Sequence, residues 1–350
     1  MKRNLSRILA VALVVVMICA LCTTAFAAGN DEYTIRFACI SSEITKIGSE
    51  QVMNFNYAGM LAFKNYVEAA SSGRIKVELY TNAQLGNAQE IYMQCMQGVL
   101  ECCTLGDADI SNYYPNMQVF SIPYSFSDRF EFYKFLDSQY CDDLNETLVK
   151  ETGVRIISSF DNGGFRNFSN NVRPIKTAAD IAGLKIRCMQ SSAHLATMTA
   201  LGAVPTALNF SELYSALQTG VVDGQENSPL VMFDNSIYEQ QKYYTLDGHM
   251  ISPAYFVCNE EWLRSLPDDL QEIVLNGGKM AQTAARGTIA SGEGVALNLL
   301  SEAGLEVYAP TAEEKDTFKT ATQGPVLEWL RGEIGDEPVD EFLAAVEAIK

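Results

Sequence analysis

The sequence has few histidines and, after residue 27, lacks the common motifs of zinc sites and hydrolytic active sites. Two histidines, His194 and His249, occur in 350 residues, and no C-x-x-C or H-E-x-x-H pattern follows residue 27. Zinc sites are built from closely spaced cysteine and histidine ligands. The G-x-S-x-G motif of many hydrolases and the phosphate-binding P-loop are absent as well. We therefore expect no metal, no cofactor and no catalytic residue of these classes.

Long hydrophobic runs are also lacking beyond the first 27 residues. Those residues have a basic start, an apolar run from Ile8 to Leu21 and the small-residue pattern Ala25-Phe26-Ala27, which together are typical of an export signal. The run is shorter than the roughly 20 residues that span a bilayer, which argues against a retained membrane helix. We predict a signal peptide over residues 1–27, cleavage near Ala27 and a periplasmic protein.

Basic residues are scarce, since the chain has 25 lysines and arginines against 43 acidic residues and a formal net charge of −18. A chain this acidic does not wrap nucleic acid or adhere to an anionic lipid surface. If it binds an anion, a few locally concentrated cations must hold that anion against the long-range field of the protein.

Seven cysteines remain after residue 27, an odd number at irregular spacing, which is not a disulfide framework. Most are expected to be small buried hydrophobic side chains, with a single bridge as the alternative. They are Cys39, Cys95, Cys102, Cys103, Cys141, Cys188 and Cys258.

Strand-like alternation and helix-like periodicity take turns along the chain, which predicts an α/β fold. YTIRFACI and GRIKVELY alternate apolar and polar residues, and residues 51–70 between them have helical spacing. This unit of strand, helix and strand is of the kind that builds a parallel sheet. A helix near residues 88–97, a strand near residues 100–105 and the strand GVRIISSF follow.

A second block begins near Asp161. In LKIRCM, Arg187 alternates with apolar residues and so faces away from their core, toward a cleft or solvent. NFSELYSALQTG is predicted to be a helix that ends at Gly220, and Asp223-Gly224 after it predicts a turn. The segment from residue 267 to about residue 300 is predicted to be mostly helical, with a weak point at its paired glycines, and two amphipathic helices close the chain.

One pair of acidic residues raises a catalytic alternative. Asp223 and Glu226 lie close together in GVVDGQENSP and could act as an acid and a base. No nucleophile and base accompany them, and carboxylates in polar loops are commonly solvated. We therefore predict that the protein is not an enzyme, and keep an exported enzyme that uses these two residues as the alternative.

Two arginines are better candidates for binding. Arg187 points away from the apolar face of its strand, and Arg166 follows the glycine-rich turn from Asp161 to Phe165, which allows a ligand to approach the backbone closely. The planar guanidinium of arginine matches a carboxylate in two parallel hydrogen bonds. A surface salt bridge to one of the many acids is the alternative for each arginine.

The segment from Arg166 to Pro229 carries a family resemblance. R-P-I, D-x-x-G-L-K-I-R, A-L-G-A-x-P-T, F-S-E-L-Y-x-A-L-Q-x-G and V-D-G-Q-E-N occur in this order, and GRIKVELYTNAQLG and IPYSF match weaker positions upstream. In these motifs the sequence resembles the DctP-type solute-binding proteins of TRAP (tripartite ATP-independent periplasmic) transporters, over essentially the whole mature chain.

The resemblance implies a two-lobed fold of the periplasmic binding protein kind. Two α/β lobes enclose a ligand cleft and are joined by crossing strands and a long helix that spans both. Applied to this chain, lobe I would comprise residues 28–160 and about 253–292, and lobe II residues 161–252 and about 293–350.

The resemblance also assigns roles to five residues. Arg187 resembles the arginine that forms the main salt bridge to the ligand carboxylate, and Arg166 a second arginine at the same end. Asn227 resembles the asparagine that hydrogen-bonds the carboxylate. Gln190 and Phe210 resemble pocket positions that vary with the ligand.

The function implied is capture of a small organic acid, such as a carboxylate, a dicarboxylate or a sugar acid. The closed protein would deliver this ligand to the membrane permease subunits of a TRAP transporter and touch the membrane only through that permease. A sensory binding protein of the same fold, serving a receptor, is the alternative within this class.

Overall fold

The computed structural model describes residues 32–47 and 50–350, and the predicted signal peptide lies outside them. No helix in this part of the chain is long and apolar enough to cross a membrane. The described chain forms a five-stranded sheet, a six-stranded sheet and a separate two-stranded pair, with helices around them. The predicted α/β class is confirmed.

The strands are numbered in chain order. They are β1 (Tyr33–Ala38), β2 (Ile44–Ile47), β3 (Glu50–Met53), β4 (Ile75–Tyr80), β5 (Cys102–Gly106), β6 (Val154–Asp161), β7 (Arg166–Asn170), β8 (Lys185–Cys188), β9 (Val204–Ala207), β10 (Gly224–Asn227), β11 (Tyr243–Met250), β12 (Pro253–Asn259) and β13 (Glu306–Tyr308).

The helices are numbered in the same way. They are α1 (Phe55–Ala70), α2 (Ala88–Met96), α3 (Asp107–Ile110), α4 (Arg129–Leu136), α5 (Gln139–Thr152), α6 (Ser192–Ala200), α7 (Phe210–Gln218), α8 (Pro229–Phe233), α9 (Glu260–Ser265), α10 (Asp268–Glu302), α11 (Ala312–Ile334) and α12 (Asp336–Ile349), with 3-10 helices at Pro115–Ser121, Ala178–Ile181 and Asp234–Gln240.

The first sheet has the strand order β4-β1-β5-β12-β6. β1 runs parallel to β4 and β5, and β12 runs antiparallel between β5 and β6. The parallel pairing of β1 with β4 confirms the predicted unit of strand, helix and strand. Residues 51–53, which we predicted to be helical, belong to β3 instead. The helix begins after Asn54, whose side chain accepts a hydrogen bond from the Asn56 backbone N–H and so caps the first turn.

The second sheet has the strand order β13-β11-β7-β10-β8-β9. β10 lies at its centre, antiparallel to β7 and parallel to β8. Gly224 is the first residue of β10, so the turn predicted at Asp223-Gly224 lies before Gly224. A β-carbon on Gly224 would stand 2.1 Å from the Ser169 carbonyl oxygen, and only glycine lets these strands approach so closely.

The chain passes between the two sheets at short crossings. Residues 162–165 join β6 to β7, and residues 251–252 join β11 to β12. The two crossings are hydrogen-bonded to each other, because the Asn162 N–H donates to the Ser252 carbonyl at 2.9 Å. Helix α10 also connects the two parts, since it packs on α1 and β6 beside the first sheet and on α8 and β13 beside the second.

The strands of each sheet fall within the ranges predicted for one lobe, except that β6 ends one residue into the second range at Asp161. The C-terminal helix α12 behaves differently, although its residues were assigned to lobe II. The Phe342 ring lies 5.7 Å from Phe120 and 5.2 Å from Phe135, which belong to the apolar core on the face of the first sheet opposite α10. The exact lobe boundaries stay a prediction.

Close packing between α10 and the first sheet involves Gly278. A β-carbon there would lie 2.2 Å from the Ile157 carbonyl oxygen on β6. The Ser158 hydroxyl also donates to the Gly278 carbonyl at 2.6 Å, so helix and strand are joined by a hydrogen bond at this point. Glycine is therefore required here for packing.

We predict that Gly278→Ala destabilises the protein by about 2 kcal/mol, because a methyl group against a fixed carbonyl forces the helix and strand apart. Gly287→Ala is the matched control, since Gly287 lies on the same helix with nothing within 4 Å of its added β-carbon. That variant should be stabilised by roughly 0.5–1 kcal/mol through helix propensity. Urea unfolding of both variants checks this, and equal stabilities would contradict the packing argument.

Candidate functional site

A cleft lies between the two sheets, at the carboxyl ends of several strands. It encloses about 720 Å³ counted out to its open mouth. In open α/β sheets this edge is where ligands usually bind, because loops and helix starts converge there. Its walls include Ile40, Ser41, Asn56, Gln89, Thr104, Gly106 and Asp109 on the side of the first sheet, and Arg187, Met189, Gln190, Asn209, Phe210 and Asn227 on the side of the second.

Arg187 lies on the second-sheet wall of this cleft. Its neighbours Ile186 and Cys188 are buried in an apolar cluster, and the alternation of β8 turns the arginine to the opposite face, as predicted. Its Nε and Nη2 atoms both donate to the Leu208 carbonyl, at 3.1 and 2.7 Å. Among the described residues no hydrogen bond uses Nη1. The guanidinium lies 5.9 Å from the centre of the Phe210 ring.

The Arg187 guanidinium has little solvent around it, since only 3% of the residue is exposed. Burial, and to a lesser extent the positive charge of Arg166, lower the pKa of Arg187 to about 10. The side chain therefore stays charged at neutral pH but is held in a partly dry site, where an added carboxylate would be favourable.

Arg166 is placed differently from the prediction, because it does not line the cleft. It is fully buried and forms a bidentate salt bridge with Glu226, with Nε–Oε2 and Nη2–Oε1 distances of 2.5 and 2.9 Å. Its Nη2 atom also donates to the Glu226 carbonyl at 2.7 Å, which joins β7 to the end of β10. Within the described chain, Nη1 has no hydrogen-bond partner.

Glu226 is the centre of a buried charged cluster, and it is not a residue of the cleft rim. The side chains of His249 and His194 approach its carboxylate, with nitrogen–oxygen distances of 3.3 and 3.5 Å. Burial alone would raise the pKa of Glu226, but Arg166 and the two histidines hold it well below its usual range. The carboxylate is therefore ionised and fully engaged.

His249 is also bound to a second carboxylate. Its Nδ1 atom lies 2.8 Å from Asp247 Oδ2, and its ring stacks on Phe168 with centroids 4.6 Å apart. Burial opposes a charged imidazole, but the negative charge of Asp247 and the hydrogen bonds to Asp247 and Glu226 raise the pKa of His249 to about 9. Neither histidine was predicted to be functional, although an aspartate two residues before His249 is a local signal for such a pair.

Asn227 ends β10 and reaches the cleft, as the resemblance implied. Its side-chain N–H₂ donates to Gln225 Oε1 at 2.5 Å, and its backbone carbonyl accepts from the Tyr244 hydroxyl at 3.0 Å. The residue is therefore held from two sides. Gln190 and Phe210, the two variable positions, line the same cleft.

The polar residues of the opposite wall were not predicted from the sequence. Asn56, Gln89 and Asp109 come from three different helices of the first-sheet side, α1, α2 and α3. Asp109 Oδ2 accepts a hydrogen bond from the Gly106 N–H at 2.9 Å, and burial raises the pKa of Asp109 to about 6. No motif marks these positions, because the cleft is completed only by the tertiary fold.

Among the described residues no group of three or more His, Cys, Asp or Glu side chains is arranged to hold a metal ion. All seven cysteines after residue 27 are free thiols; six are buried, and Cys141 is half-buried. The single bridge that the sequence left open is not formed.

Known proteins resemble this chain in sequence. The model of the bacterial extracellular solute-binding protein family 7 matches residues 49–331. The 2,3-diketo-L-gulonate-binding periplasmic protein YiaO of Escherichia coli is 28% identical over 82% of this chain and 86% of its own length. The C4-dicarboxylate-binding periplasmic protein DctP of Rhodobacter capsulatus is 31% identical over 83% of this chain and 85% of its own.

A solved structure is also similar. It is the sugar acid binding protein DctPAm of Advenella mimigardefordensis in complex with galactonate. Its TM-score is 0.85 at 27% sequence identity, and the match covers 91% of this chain and 99% of that one.

We predict that Glu226→Gln destabilises the protein by roughly 3–5 kcal/mol, because Arg166 would remain buried without its counter-ion. Glu151→Gln on the exposed side of α5 removes the same charge and serves as the control. Chemical denaturation of the two variants and the parent checks this. Equal free energies of unfolding in the two variants would contradict a structural role for the ion pair.

The pKa of His249 predicts a pH dependence of stability. Because it is raised from 6.5 to about 9, its stabilising contribution is complete below the lower value and is lost as the pH rises through the upper one. As the pH rises from about 6 to 8, this group should lower the free energy of unfolding by about 2 kcal/mol. Urea unfolding across this range checks it. In His249→Asn the free energy of unfolding should fall less steeply with pH. Equal slopes would rule out this assignment.

Proposed function

The chain belongs to the bacterial extracellular solute-binding proteins of family 7, and we propose that it captures a small organic acid outside the cytoplasm and delivers it to the permease of a TRAP transporter. The observation that carries the proposal is Arg187, a nearly dry guanidinium on the cleft wall whose hydrogen bonds go to a neutral carbonyl. A ligand carboxylate supplies the counter-ion that this charge lacks.

The energy of such a contact is sufficient for capture. Each hydrogen bond between charged groups contributes roughly 1.5–3 kcal/mol. Micromolar affinity corresponds to about 8 kcal/mol, which two or three such bonds and the exclusion of water by closure can supply. The similar proteins support an acid as ligand, since their names include a diketogulonate, C4-dicarboxylates and galactonate.

The other predicted residues interact with different parts of the ligand in this proposal. Asn227 donates its remaining side-chain hydrogen to the carboxylate. Arg166 lies behind the second-sheet wall, and its positive charge adds to that of Arg187 in attracting the carboxylate. Gln190 and Phe210 contact the remainder of the ligand.

Ligand binding is coupled to closure of the cleft. The walls come from two sheets that are joined by short crossings, so that a ligand in contact with both walls favours the closed arrangement. The permease then recognises the closed form. Residues 1–27 act in this proposal as the export signal, with cleavage near Ala27, and place the mature protein in the periplasm.

Acid/base catalysis by Asp223 and Glu226 is disfavoured. Both oxygens of Glu226 accept hydrogen bonds from Arg166, and His249 Nε2 lies 3.3 Å from Oε2. Asp223 Oδ2 accepts from the Lys185 N–H at 2.8 Å, at the start of β8 and outside the cleft lining. We therefore propose binding without turnover.

We predict that Arg187→Ala weakens binding by at least about tenfold, and that Asn227→Ala weakens it less, because the salt bridge is the stronger contact. A thermal-shift screen over galactonate, glucuronate, succinate and 2,3-diketogulonate selects the tightest acid, and calorimetry with that acid then measures each variant.

Arg173→Ala is the matched control for Arg187→Ala. Arg173 also donates to two backbone carbonyls, those of Asp180 and Ala182, but it does not line the cleft. Its loss should leave the dissociation constant unchanged. If Arg187→Ala leaves the dissociation constant unchanged, or if Asn227→Ala weakens binding more than Arg187→Ala does, the roles assigned to these residues are wrong.

A further inference from the structure

The described cleft lining has more acidic than basic side chains, which limits the charge that a ligand can carry. Among the described residues that line the cleft, Arg187 is the one basic side chain, whereas Asp109 and Asp234 are both acidic. A dicarboxylate bound to Arg187 would bring its second carboxylate against a lining that, in the described part of the chain, includes Asp109 and Asp234 and no second basic side chain. Like charges held in a partly dry site repel one another strongly.

The first-sheet wall presents hydrogen-bond acceptors. The side-chain oxygens Asn56 Oδ1 and Gln89 Oε1 are buried and have no hydrogen-bond partner within the described chain. Buried polar atoms are rarely left unpaired, so such a group in a cleft points to a ligand that donates. Carboxylates cannot donate, whereas hydroxyl groups can.

Asp109 adds a charged acceptor to the same wall. The residue is buried, and its hydrogen bond from the Gly106 N–H uses Oδ2. In the described chain Oδ1 takes part in no hydrogen bond. With a pKa of about 6, the side chain is largely ionised near neutral pH. An ionised carboxylate is a strong acceptor for a hydroxyl group and a poor neighbour for a second carboxylate.

From these observations, and resting on the proposed function, we infer that the cleft takes a monocarboxylic acid with several hydroxyl groups, of the aldonate class, and rejects dicarboxylates. The carboxylate binds Arg187 and Asn227 on the second-sheet wall, and the hydroxyl groups donate to Asn56, Gln89 and Asp109 on the first-sheet wall.

Matched pairs of acids test this by changing one chemical group at a time. Galactonate and galactarate differ only in the last carbon, which is CH₂OH in the first and a carboxylate in the second. Erythronate and meso-tartrate form a shorter pair of the same kind. Hexanoate and adipate carry one and two carboxylates without hydroxyl groups.

Calorimetry with the full mature chain should give a dissociation constant at least about tenfold lower for the monocarboxylate in at least one hydroxylated pair. Hexanoate and adipate should both bind more weakly than galactonate. If galactarate and tartrate bind as tightly as their partners, or adipate binds as tightly as galactonate, the inference fails and the proposed function stands. If none of the six acids binds but another acid of the thermal-shift screen does, the inference fails and the proposed function stands; if no acid binds, both fail.

Variants of the first-sheet wall separate repulsion of a second carboxylate from recognition of hydroxyl groups. Asp109→Asn should reduce the preference for galactonate over galactarate by about fivefold or more, because it removes the repulsive charge and keeps the shape. Asp142→Asn, on the exposed face of α5, changes the net charge equally and should leave the preference unchanged. A folded Asp109→Asn protein with an unaltered preference overturns the role of Asp109.

Gln89→Leu should weaken galactonate binding by about fivefold but leave hexanoate binding unchanged, because hexanoate has no hydroxyl group to donate. Melting temperatures of the ligand-free variants control for folding. A loss of equal size for both acids would indicate a general disturbance of the cleft and would count against hydroxyl recognition by this wall.

Discussion

The bidentate ion pair between Arg166 and Glu226 is the interaction on which the binding wall depends. It joins β7 to β10 at the point where β10 enters the cleft, and His249 and His194 approach the same carboxylate from β11 and α6. A charged cluster this deeply buried is stable only if every member stays in place. The end of β10 is therefore rigid, and Asn227, one residue further, faces the cleft in a fixed position.

The same ion pair explains why the two arginines differ. Arg166 has its counter-ion inside the protein, whereas the hydrogen bonds of Arg187 go to the Leu208 carbonyl. Within residues 32–47 and 50–350, Arg187 is thus a buried positive charge that no carboxylate pairs directly. A local charge of this kind can bind an anion in spite of the formal net charge of −18, because nearby groups in a dry site interact much more strongly than distant surface charges across water.

Much of this arrangement could be predicted from the sequence. The alternation in LKIRCM placed Arg187 on the open face of its strand, and strand periodicity gave the parallel pairing of β1 with β4. Local patterns could not reveal the partner of Arg166, which lies 60 residues away at Glu226. Nor could they reveal the first-sheet wall, where Asn56, Gln89 and Asp109 meet only through tertiary packing. The paired glycines Gly277-Gly278 were predicted as a weak point, but the helix continues through them and Gly278 packs closely against β6.

The separation of the two kinds of contact links specificity to closure. Arg187 and Asn227 lie on one wall and the hydroxyl acceptors on the other. An acid without hydroxyl groups contacts only Arg187 and Asn227 on the second-sheet wall. We expect it to bind the open and closed forms with similar affinity. Such a ligand shifts the equilibrium little, because a shift requires different affinities for the two states. A hydroxylated acid satisfies both walls only when they come together. In the function we propose, the contacts that identify the ligand are therefore the contacts that close the cleft around it.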